Sequence, residues 1–272
     1  MDDSAGARPA AAQPGARPGP ARPGPTRPGL GAKLLRGLAT LSVGLYLVPA
    51  TLAIASLAAL LSWVPPRGNL VVFFARCWAR GALAAGGVRV TAETDPAVDP
   101  RRGYVVMANH CSYFDVLALL AVLPGQYRFV AKRSLFHIPV FGWALRANGF
   151  IPVDRHDRSR AREVWAAAGQ RLAHGASVLF YPEGTRSEDG RVHAFQRGAF
   201  LVAMHNGAPI LPVGVHGAWP IMPRRRLSVQ PGPMRVRIGA PVETAGRSVR
   251  EKSELIDAVR REVARLAGAE LA

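Results

Sequence analysis

The sequence predicts an α/β protein in which a mixed β-sheet is flanked by helices and preceded by an N-terminal membrane-associated helical hairpin. Three observations support this fold class. After Gly87, short apolar runs typical of strands alternate with helical patterns, as expected for a sheet covered by helices. Residues 37–66 contain no charged side chain. The first thirty residues contain seven prolines in a repeat resembling Ala-Arg-Pro-Gly-Pro, a composition that buries too little apolar surface to fold.

These changes in composition divide the chain into three segments. We predict that residues 1–32 form a disordered arm rich in proline and arginine, and that residues 33–87 form a membrane-anchoring helical segment. Residues 88–272 are then left for the α/β domain. A domain of this length is ample for a hydrophobic core, because 49% of the whole chain is apolar.

The uncharged segment is long enough to enter lipid. A helix over most of residues 37–66 would exceed the roughly 30 Å thickness of the bilayer hydrocarbon, and Pro49 can kink it near its middle. The next helical stretch, 69–87, carries Arg76 and Arg80, which favours an interfacial position. Positive residues flank the first helix on both sides, so a half-inserted, kinked hairpin is favoured over a single crossing. The alternative is a buried helical hairpin of a soluble protein.

Seven strands and five helices are predicted after Gly87. The strand candidates are Val88–Ala92, Tyr104–Ala108, Tyr127–Ala131, Phe150–Val153, Ser177–Tyr181, Ile210–Val215 and Met234–Ile238. Four helix candidates are Val116–Leu123, Val140–Ala147, Ser159–His174 and Gly198–His205. The fifth follows a Ser248/Glu251 capping box and places Ile256, Val259, Val263 and Leu266 on one core-facing stripe.

Charge and cysteine content limit the partners and the compartment. The formal net charge of +17 comes from 32 arginines and three lysines against 18 acidic residues, which favours a phosphate-bearing or anionic partner. Anionic lipid fits, whereas nucleic acid is not expected, because no basic stripe with interleaved aromatic residues is evident. Two cysteines, Cys77 and Cys111, offer no disulfide or zinc framework, which favours a reducing compartment.

A polar stretch after the strand Tyr104–Ala108 is the clearest candidate site. On one continuous helix, His110 and Asp115 would diverge by about 140°, so they can meet only if His110 precedes the helix and Asp115 lies in its first turns. Asn109 or Ser112 could then cap that helix. A carboxylate on one ring nitrogen would leave the other nitrogen as a general base. The alternative is a plain strand-to-helix turn in which Asp115 only balances the helix dipole.

Two more apolar strands end in polar residues that would meet this pair. The stretch SVLFYPEGTRS places Glu183, Gly184, Thr185 and Arg186 after one strand, and GFIPVDR places Arg155 after another. The carboxyl ends of strands in open α/β sheets form ligand sites. Two guanidinium groups beside a His–Asp pair suggest a clamp for a phosphate group.

Four stretches, in order, resemble motifs of the glycerolipid acyltransferase family that includes the 1-acylglycerol-3-phosphate O-acyltransferases. NHCSYFD is similar to the family's N-H-x4-D motif, and GFIPVDR, FYPEGTRS and APILPVGV resemble its second, third and fourth blocks, over residues 88–216 or so. The resemblance implies that residues 88–272 are an acyltransferase domain. It also implies that His110 removes the proton from a lysolipid hydroxyl and that Asp115 orients His110.

The same resemblance implies the reaction and the rest of the site. Residues of the second and third blocks would bind the acceptor, with the arginines nearest its phosphate: Arg155, Glu183, Gly184, Thr185 and Arg186. The hydroxyl would attack an acyl thioester of CoA or acyl carrier protein directly, without an acyl-enzyme, a metal or another cofactor. Backbone N–H groups near the helix start would stabilise the oxyanion. A family segment usually written F-K-x-G reads F-Q-R-G here, so Gln196 replaces a lysine.

Lysophosphatidic acid, acylated to phosphatidic acid on the cytoplasmic face of the cell membrane, is the expected acceptor. Another lysolipid, such as a lyso-ornithine lipid, is an open alternative, because the same motifs serve several head groups. A non-catalytic protein that binds anionic membrane lipid would fit the charge but would leave the His–Asp pair unused. A thiol nucleophile at Cys111 and a metal site at Asp154, His156 and Asp157 are disfavoured, since neither has the supporting groups it needs.

Overall fold

The computed structural model describes residues 29–61, 69–154 and 161–272. Its strands are β1 (Val88–Thr94), β2 (Val105–Ala108), β3 (Tyr127–Lys132), β4 (Ile151–Val153), β5 (Ser177–Phe180), β6 (Ile210–His216) and β7 (Gly232–Ile238). They form one sheet in the order β1-β7-β6-β2-β5-β3-β4. Every neighbouring pair is parallel except β6 and β7. The predicted mixed sheet is therefore confirmed, and its five parallel strands share one carboxyl edge.

Eight α-helices accompany these strands in the described part of the chain. They are α1 (Leu30–Leu61), α2 (Asn69–Ala85), α3 (Tyr113–Val122), α4 (Phe141–Ala147), α5 (Ala161–Ala173), α6 (Gly198–His205), α7 (Ala218–Ile221) and α8 (Lys252–Ala267). Short 3-10 helices cover Arg133–His137 and Val249–Glu251. The predicted helices are found, whereas α7 and the 3-10 helix after β3 were not predicted, because one turn is too short to show periodicity.

The central strands of the sheet are buried on both faces. Along β2, Val105 and Met107 pack with residues of α6 and α8, whereas Val106 and Ala108 pack with residues of α2 and α3. This alternation follows from the period of two in a strand, and a strand covered on both sides is apolar throughout. The core therefore consists of two apolar layers, with the central strands β2 and β5 between them.

The predicted hairpin is present, but its second helix belongs to the core of the α/β domain. Trp78 Nε1 of α2 donates to Thr51 Oγ1 of α1 at 3.0 Å. On its other side α2 packs against α3, where Arg76 donates to the carbonyls of Leu123 and Gly125 at 2.7 and 3.0 Å. Arg76, whose charge predicted an interfacial position, thus binds carbonyl oxygens at the end of α3. The predicted boundary at residue 88 therefore does not separate two independent structures.

The first helix begins earlier than predicted and exposes an apolar face. It starts at Leu30, inside the predicted 1–32 arm, because the Lys33 N–H already donates to the Gly29 carbonyl at 3.2 Å. Residues 1–28 lie outside the described residues. The span Leu30–Leu57 is long and apolar enough to cross a membrane by length and composition. Its exposed side chains include Leu34, Leu38, Leu41 and Leu45. This uncovered apolar face indicates membrane association.

Gly214 of β6 allows the close approach of α8 and provides a test of the fold. A methyl group at this position would overlap the backbone of Leu266 and Ala267. We expect Gly214→Ala to lower the free energy of unfolding by about 1–3 kcal/mol or more, because the two elements must separate. Thermal unfolding in detergent measures this change. Gly232→Ala in β7 is the matched control, since its nearest atom would be 3.9 Å away. Equal losses in both variants would contradict the tight packing of α8 on β6.

Candidate active site

The loop between β2 and α3 brings His110 and Asp115 into contact. His110 Nδ1 lies 2.9 Å from Asp115 Oδ2. The Asp115 side chain is fully buried, whereas 12% of the His110 side chain is exposed. His110 precedes α3 and Asp115 lies in its first turn. The two side chains therefore meet in the way that their five-residue spacing required, with His110 before the helix and Asp115 in its first turn. The role of His110 as a base stays a prediction.

A capping box at the start of α3 holds the carboxylate. Ser112 Oγ accepts a hydrogen bond from the Phe114 N–H at 3.1 Å, and Asp115 Oδ2 accepts from the Ser112 N–H at 2.8 Å. The same oxygen accepts from the Cys111 N–H at 2.6 Å. An oxygen that already accepts two amide hydrogens is an acceptor toward His110 as well. His110 Nδ1 therefore carries the hydrogen, which leaves the lone pair on Nε2.

Four backbone amides at or just before the start of α3 are occupied, which removes them from the predicted oxyanion donors. The N–H groups of Cys111 and Ser112 bind Asp115. The His110 N–H binds Glu183 Oε1 at 2.8 Å, and the Phe114 N–H binds Ser112. The expectation that such amides stabilise an oxyanion is therefore wrong for these four groups, because the capping box and Glu183 already use their hydrogens.

Two buried polar side chains fix the His110 loop to the sheet. Asn109 Nδ2 donates to the Val215 carbonyl at 3.0 Å, and the Val215 N–H donates back to Asn109 Oδ1 at 2.8 Å. Glu183 accepts from the backbone N–H groups of His110 and His193 at 2.8 and 3.0 Å. Asn109 thus cross-links β2 to β6 rather than capping α3. Glu183, predicted to bind substrate, instead binds the backbone and is a positioning residue.

Burial governs the protonation of Glu183. Removal from water raises the pKa of the Glu183 carboxyl to about 7, although the N–H groups of His193 and His110 act in the opposite direction. Desolvation exceeds the stabilisation by these two hydrogen bonds. The carboxyl that holds the His110 loop therefore titrates near neutral pH.

The turn after β5 supports the site, but only some of its residues line the cavity. The Tyr181 ring stacks on His110, with ring centroids 3.9 Å apart and an interplanar angle of 17°. Gly184 has a φ of +75°, and a Cβ at this position would collide with the Gln196 side chain. Gly184 therefore permits the turn, whereas it was predicted to contact substrate. The turn then delivers Thr185 and Arg186 to the cavity beside His110.

A cavity of about 810 Å³ opens beside His110. Its walls come mainly from α1, α2, α3, α4 and β3, and most of its lining residues are apolar. Representative apolar residues are Leu47, Phe74, Trp78, Phe114, Leu120 and Phe150. This size and composition suit a long apolar ligand. Its polar lining residues include His110, Thr185, Arg186, Lys132 and Arg224.

Three arginines and one lysine bear on the predicted phosphate clamp. The guanidinium carbon of Arg186 lies 3.7 Å from the centroid of the Tyr113 ring. Arg186 Nη1 is buried and has no hydrogen-bond partner among the residues that the structure describes. Arg155 lies outside the described residues. Lys132 and Arg224 were missed from the sequence, although Lys132 is the charged residue that ends the apolar strand β3.

The geometry does not favour a thiol nucleophile at Cys111. Cys111 is buried, its Sγ lies 3.8 Å from Asp115 Oδ1, and burial raises the pKa of its thiol well above the usual value. A thiol of this kind is a poor nucleophile. Within the described ranges there is no group of three His, Cys, Asp or Glu side chains that could hold a metal ion. His156 and Asp157 lie outside those ranges.

Fold and site together define an α/β protein with a buried His–carboxylate pair at the carboxyl edge of its sheet and an apolar cavity beside that pair. Residues 89–216 match the family model described as Acyltransferase. The chain is 38% identical over 139 residues to 1-acyl-sn-glycerol-3-phosphate acyltransferase BAT2, chloroplastic, of Brassica napus, a match that covers 51% of this chain and 40% of that protein. It is 33% identical to 1-acyl-sn-glycerol-3-phosphate acyltransferase alpha of Mus musculus, over 64% of this chain and 62% of that protein.

A solved structure has the same fold. The crystal structure of the 1-acyl-sn-glycerophosphate (LPA) acyltransferase PlsC from Thermotoga maritima has a TM-score of 0.74 and 26% identity, over 86% of this chain and 97% of that chain. Over residues 89–216 the chain is therefore similar to the glycerolipid acyltransferases, and its fold is that of the PlsC structure. It spans 40% of the length of the Brassica napus relative and 62% of the mouse relative.

Glu183 makes the stability of the protein depend on pH. The folded state holds the proton of this carboxyl up to a pKa of about 7, against an ordinary value of 4.5. The resulting stabilisation is complete below pH 4.5 and is lost as the pH rises through about 7. Between about pH 5 and pH 8, we expect the free energy of unfolding of the wild type to fall by up to about 3 kcal/mol more than that of Glu183→Gln.

Chemical unfolding in detergent at several pH values measures this difference. Glu254→Gln, on the exposed face of α8, is the control and should keep the wild-type pH dependence. The same slope in the wild type and in Glu183→Gln would show that Glu183 does not titrate in this range.

Proposed function

We propose that the protein is an O-acyltransferase that transfers a fatty acyl group from an acyl thioester to the free hydroxyl of a lysophospholipid. One observation carries the proposal: the His110–Asp115 pair lies at the wall of a large apolar cavity. The match of residues 89–216 to the Acyltransferase model supports it, as do the relatives, whose names describe 1-acyl-sn-glycerol-3-phosphate acyltransferases. No metal or other cofactor takes part in the proposed reaction.

In the proposed mechanism, His110 acts as a general base. Its Nε2 takes the proton of the acceptor hydroxyl while the oxygen attacks the thioester carbonyl. The new C–O bond forms, the C–S bond breaks, and the imidazolium returns the proton to the departing thiolate. Asp115 stabilises the imidazolium through Nδ1–H. Base catalysis contributes roughly 10²–10⁴-fold in rate, so the remaining acceleration comes from positioning the two substrates and stabilising the oxyanion.

We infer that the acceptor is 1-acylglycerol-3-phosphate and that the product is phosphatidic acid. The names of the relatives support this acceptor. Arg186 supports it chemically, because a buried N–H donor without a partner in the described residues fits a phosphate oxygen. The donor is acyl-CoA or acyl carrier protein, and the apolar walls of the cavity hold a fatty chain.

We place the reaction at the cytoplasmic face of the cell membrane. The exposed apolar face of α1 supports contact with membrane lipids. Both cysteines are free thiols, which fits a reducing compartment. The excess of arginine favours the anionic leaflet that faces the cytoplasm.

His110→Ala tests the mechanism. We expect acyl transfer to a lysophospholipid to fall by at least about 100-fold, because the general base is removed. Sedimentation with anionic vesicles should be unchanged, since α1 is untouched. His174→Ala is the matched control, because His174 is exposed and hydrogen-bonds only its own helix through Gln170. Wild-type transfer by the His110 variant would leave a non-catalytic lipid-binding function as the better explanation.

A panel of lysolipids tests the acceptor. Membranes that contain the protein are incubated with labelled acyl thioester and with lysolipids of different head groups, and the products are identified by mass spectrometry. We expect 1-acylglycerol-3-phosphate to be acylated faster than lysolipids without a terminal phosphate, because the cavity offers arginine side chains to that group. A preference for a lyso-ornithine lipid would reassign the acceptor, and equal rates with all head groups would contradict phosphate recognition.

A further inference from the structure

The loop between α7 and β7 carries three consecutive arginines beside the active site: Arg224, Arg225 and Arg226. Two contacts fix this loop. Ser112 Oγ, in the capping box of α3, donates to the Met222 carbonyl at 2.9 Å. The Val229 N–H donates to Thr40 Oγ1 of α1 at 2.9 Å. The arginines therefore follow directly after a residue that is hydrogen-bonded to the His110 loop.

Arg224 differs from its neighbour Arg225 in what it faces. Arg224 lines the cavity that His110 and Arg186 also line, whereas Arg225 does not. The exposed fractions of the two side chains are 39% and 82%. Both arginines lie 3.2 Å from the same oxygen of Glu188. They therefore share an ion-pair partner but only Arg224 reaches the cavity.

The contacts of Arg224 leave part of its guanidinium for a ligand. Arg224 Nη1 donates to the Arg186 carbonyl at 3.3 Å and forms the ion pair with Glu188. Both contacts use the same nitrogen, and a guanidinium carries five N–H donors on three nitrogens. The group is thus fixed against the backbone of Arg186 at one nitrogen, and its other donors have no partner among the residues that the structure describes.

A phosphate monoester needs more positive charge than Arg186 supplies. It carries about −1.5 to −2 charge near neutral pH and has three acceptor oxygens. Gln196, whose side chain lies beside Gly184, is uncharged. Of the described residues that line the cavity, Lys132, Arg186 and Arg224 are the lysine and arginines. Arg224 Nη1 donates to the backbone carbonyl of Arg186, and both residues line the same cavity, so they can act on one phosphate together.

We propose that Arg224 is a specificity-determining residue that binds the phosphate of the acceptor lipid together with Arg186. This inference rests on the proposed acyltransferase function. It assigns Arg224 to the acceptor rather than to the acyl thioester, and it assigns no ligand to Arg225.

Kinetics of Arg224→Gln and Arg225→Gln, as full-length proteins in mixed micelles, test the proposal. Both variants lose one charge and one ion pair with Glu188, so Arg225→Gln controls for both effects. We expect Arg224→Gln to raise the KM for 1-acylglycerol-3-phosphate by roughly 10- to 100-fold, the range for a lost hydrogen bond to a charged group. Arg225→Gln should stay within about two-fold of the wild type. Neither variant should change the KM for the acyl thioester.

A second acceptor isolates the phosphate. Monoacylglycerol has the same chain and free hydroxyl without the phosphate, so the wild type and Arg224→Gln should acylate it equally. Equal effects of the two substitutions, or an effect of Arg224→Gln on the acyl thioester alone, would overturn the proposal. Arg224→Lys keeps the charge and should recover part of the affinity. Melting temperatures in detergent identify any variant that does not fold.

Binding to an inactive background separates this proposal from the proposed function. In His110→Ala, the dissociation constant for 1-acylglycerol-3-phosphate should rise by the same factor when Arg224→Gln is added. Wild-type transfer together with unchanged binding in the double variant would refute only the role of Arg224. Absence of transfer by the wild type with every acceptor would refute the proposed function, and the assignment of Arg224 would fall with it.

Discussion

One buried carboxylate oxygen organises the active site. Asp115 Oδ2 lies within hydrogen-bond distance of His110 Nδ1 and of the backbone N–H groups of Cys111 and Ser112. Because this oxygen is shielded from water, a donor that moved away would lose its partner and gain no solvent in return. The turn between β2 and α3 therefore has one arrangement that satisfies its polar groups. In that arrangement His110 lines the cavity.

Contacts from distant parts of the chain keep this turn on the sheet. Asn109 is bound to Val215 of β6, His110 to Glu183 after β5, and Ser112 to Met222 after α7. Each anchor comes from a different element at the carboxyl edge of the sheet. The position of His110 thus depends on the assembled core, not on the local sequence alone. Substitutions far along the chain that shift β5 or β6 would therefore move the His110 side chain out of its present position.

The strands and the His110–Asp115 contact could be predicted from the sequence, because both depend on the pattern of residues close together in the chain. Apolar runs marked all seven strands, and the spacing of His110 and Asp115 required the turn that the structure contains. The role of Glu183 was not predictable, because its carboxylate meets a backbone N–H 73 residues away, and no periodicity encodes that pairing. Arg224 is one of 32 arginines, so only its position distinguishes it. The loop amides were misassigned because the capping box had already used them.

Under the proposed function, the charged residues of the cavity would orient a bound lipid. Apolar walls from α1 and α2 can hold only hydrocarbon, whereas Arg186 and Arg224 lie where the cavity meets the loops at the edge of the sheet. In 1-acylglycerol-3-phosphate, the free hydroxyl is on the carbon next to the one that bears the phosphate. Under the proposed function, arginines that bind the phosphate therefore also fix the position of that hydroxyl, because only a few bonds separate the two groups. Recognition of the head group and presentation of the reacting oxygen to His110 then become one event, so a lost phosphate contact weakens binding and misplaces the nucleophile together.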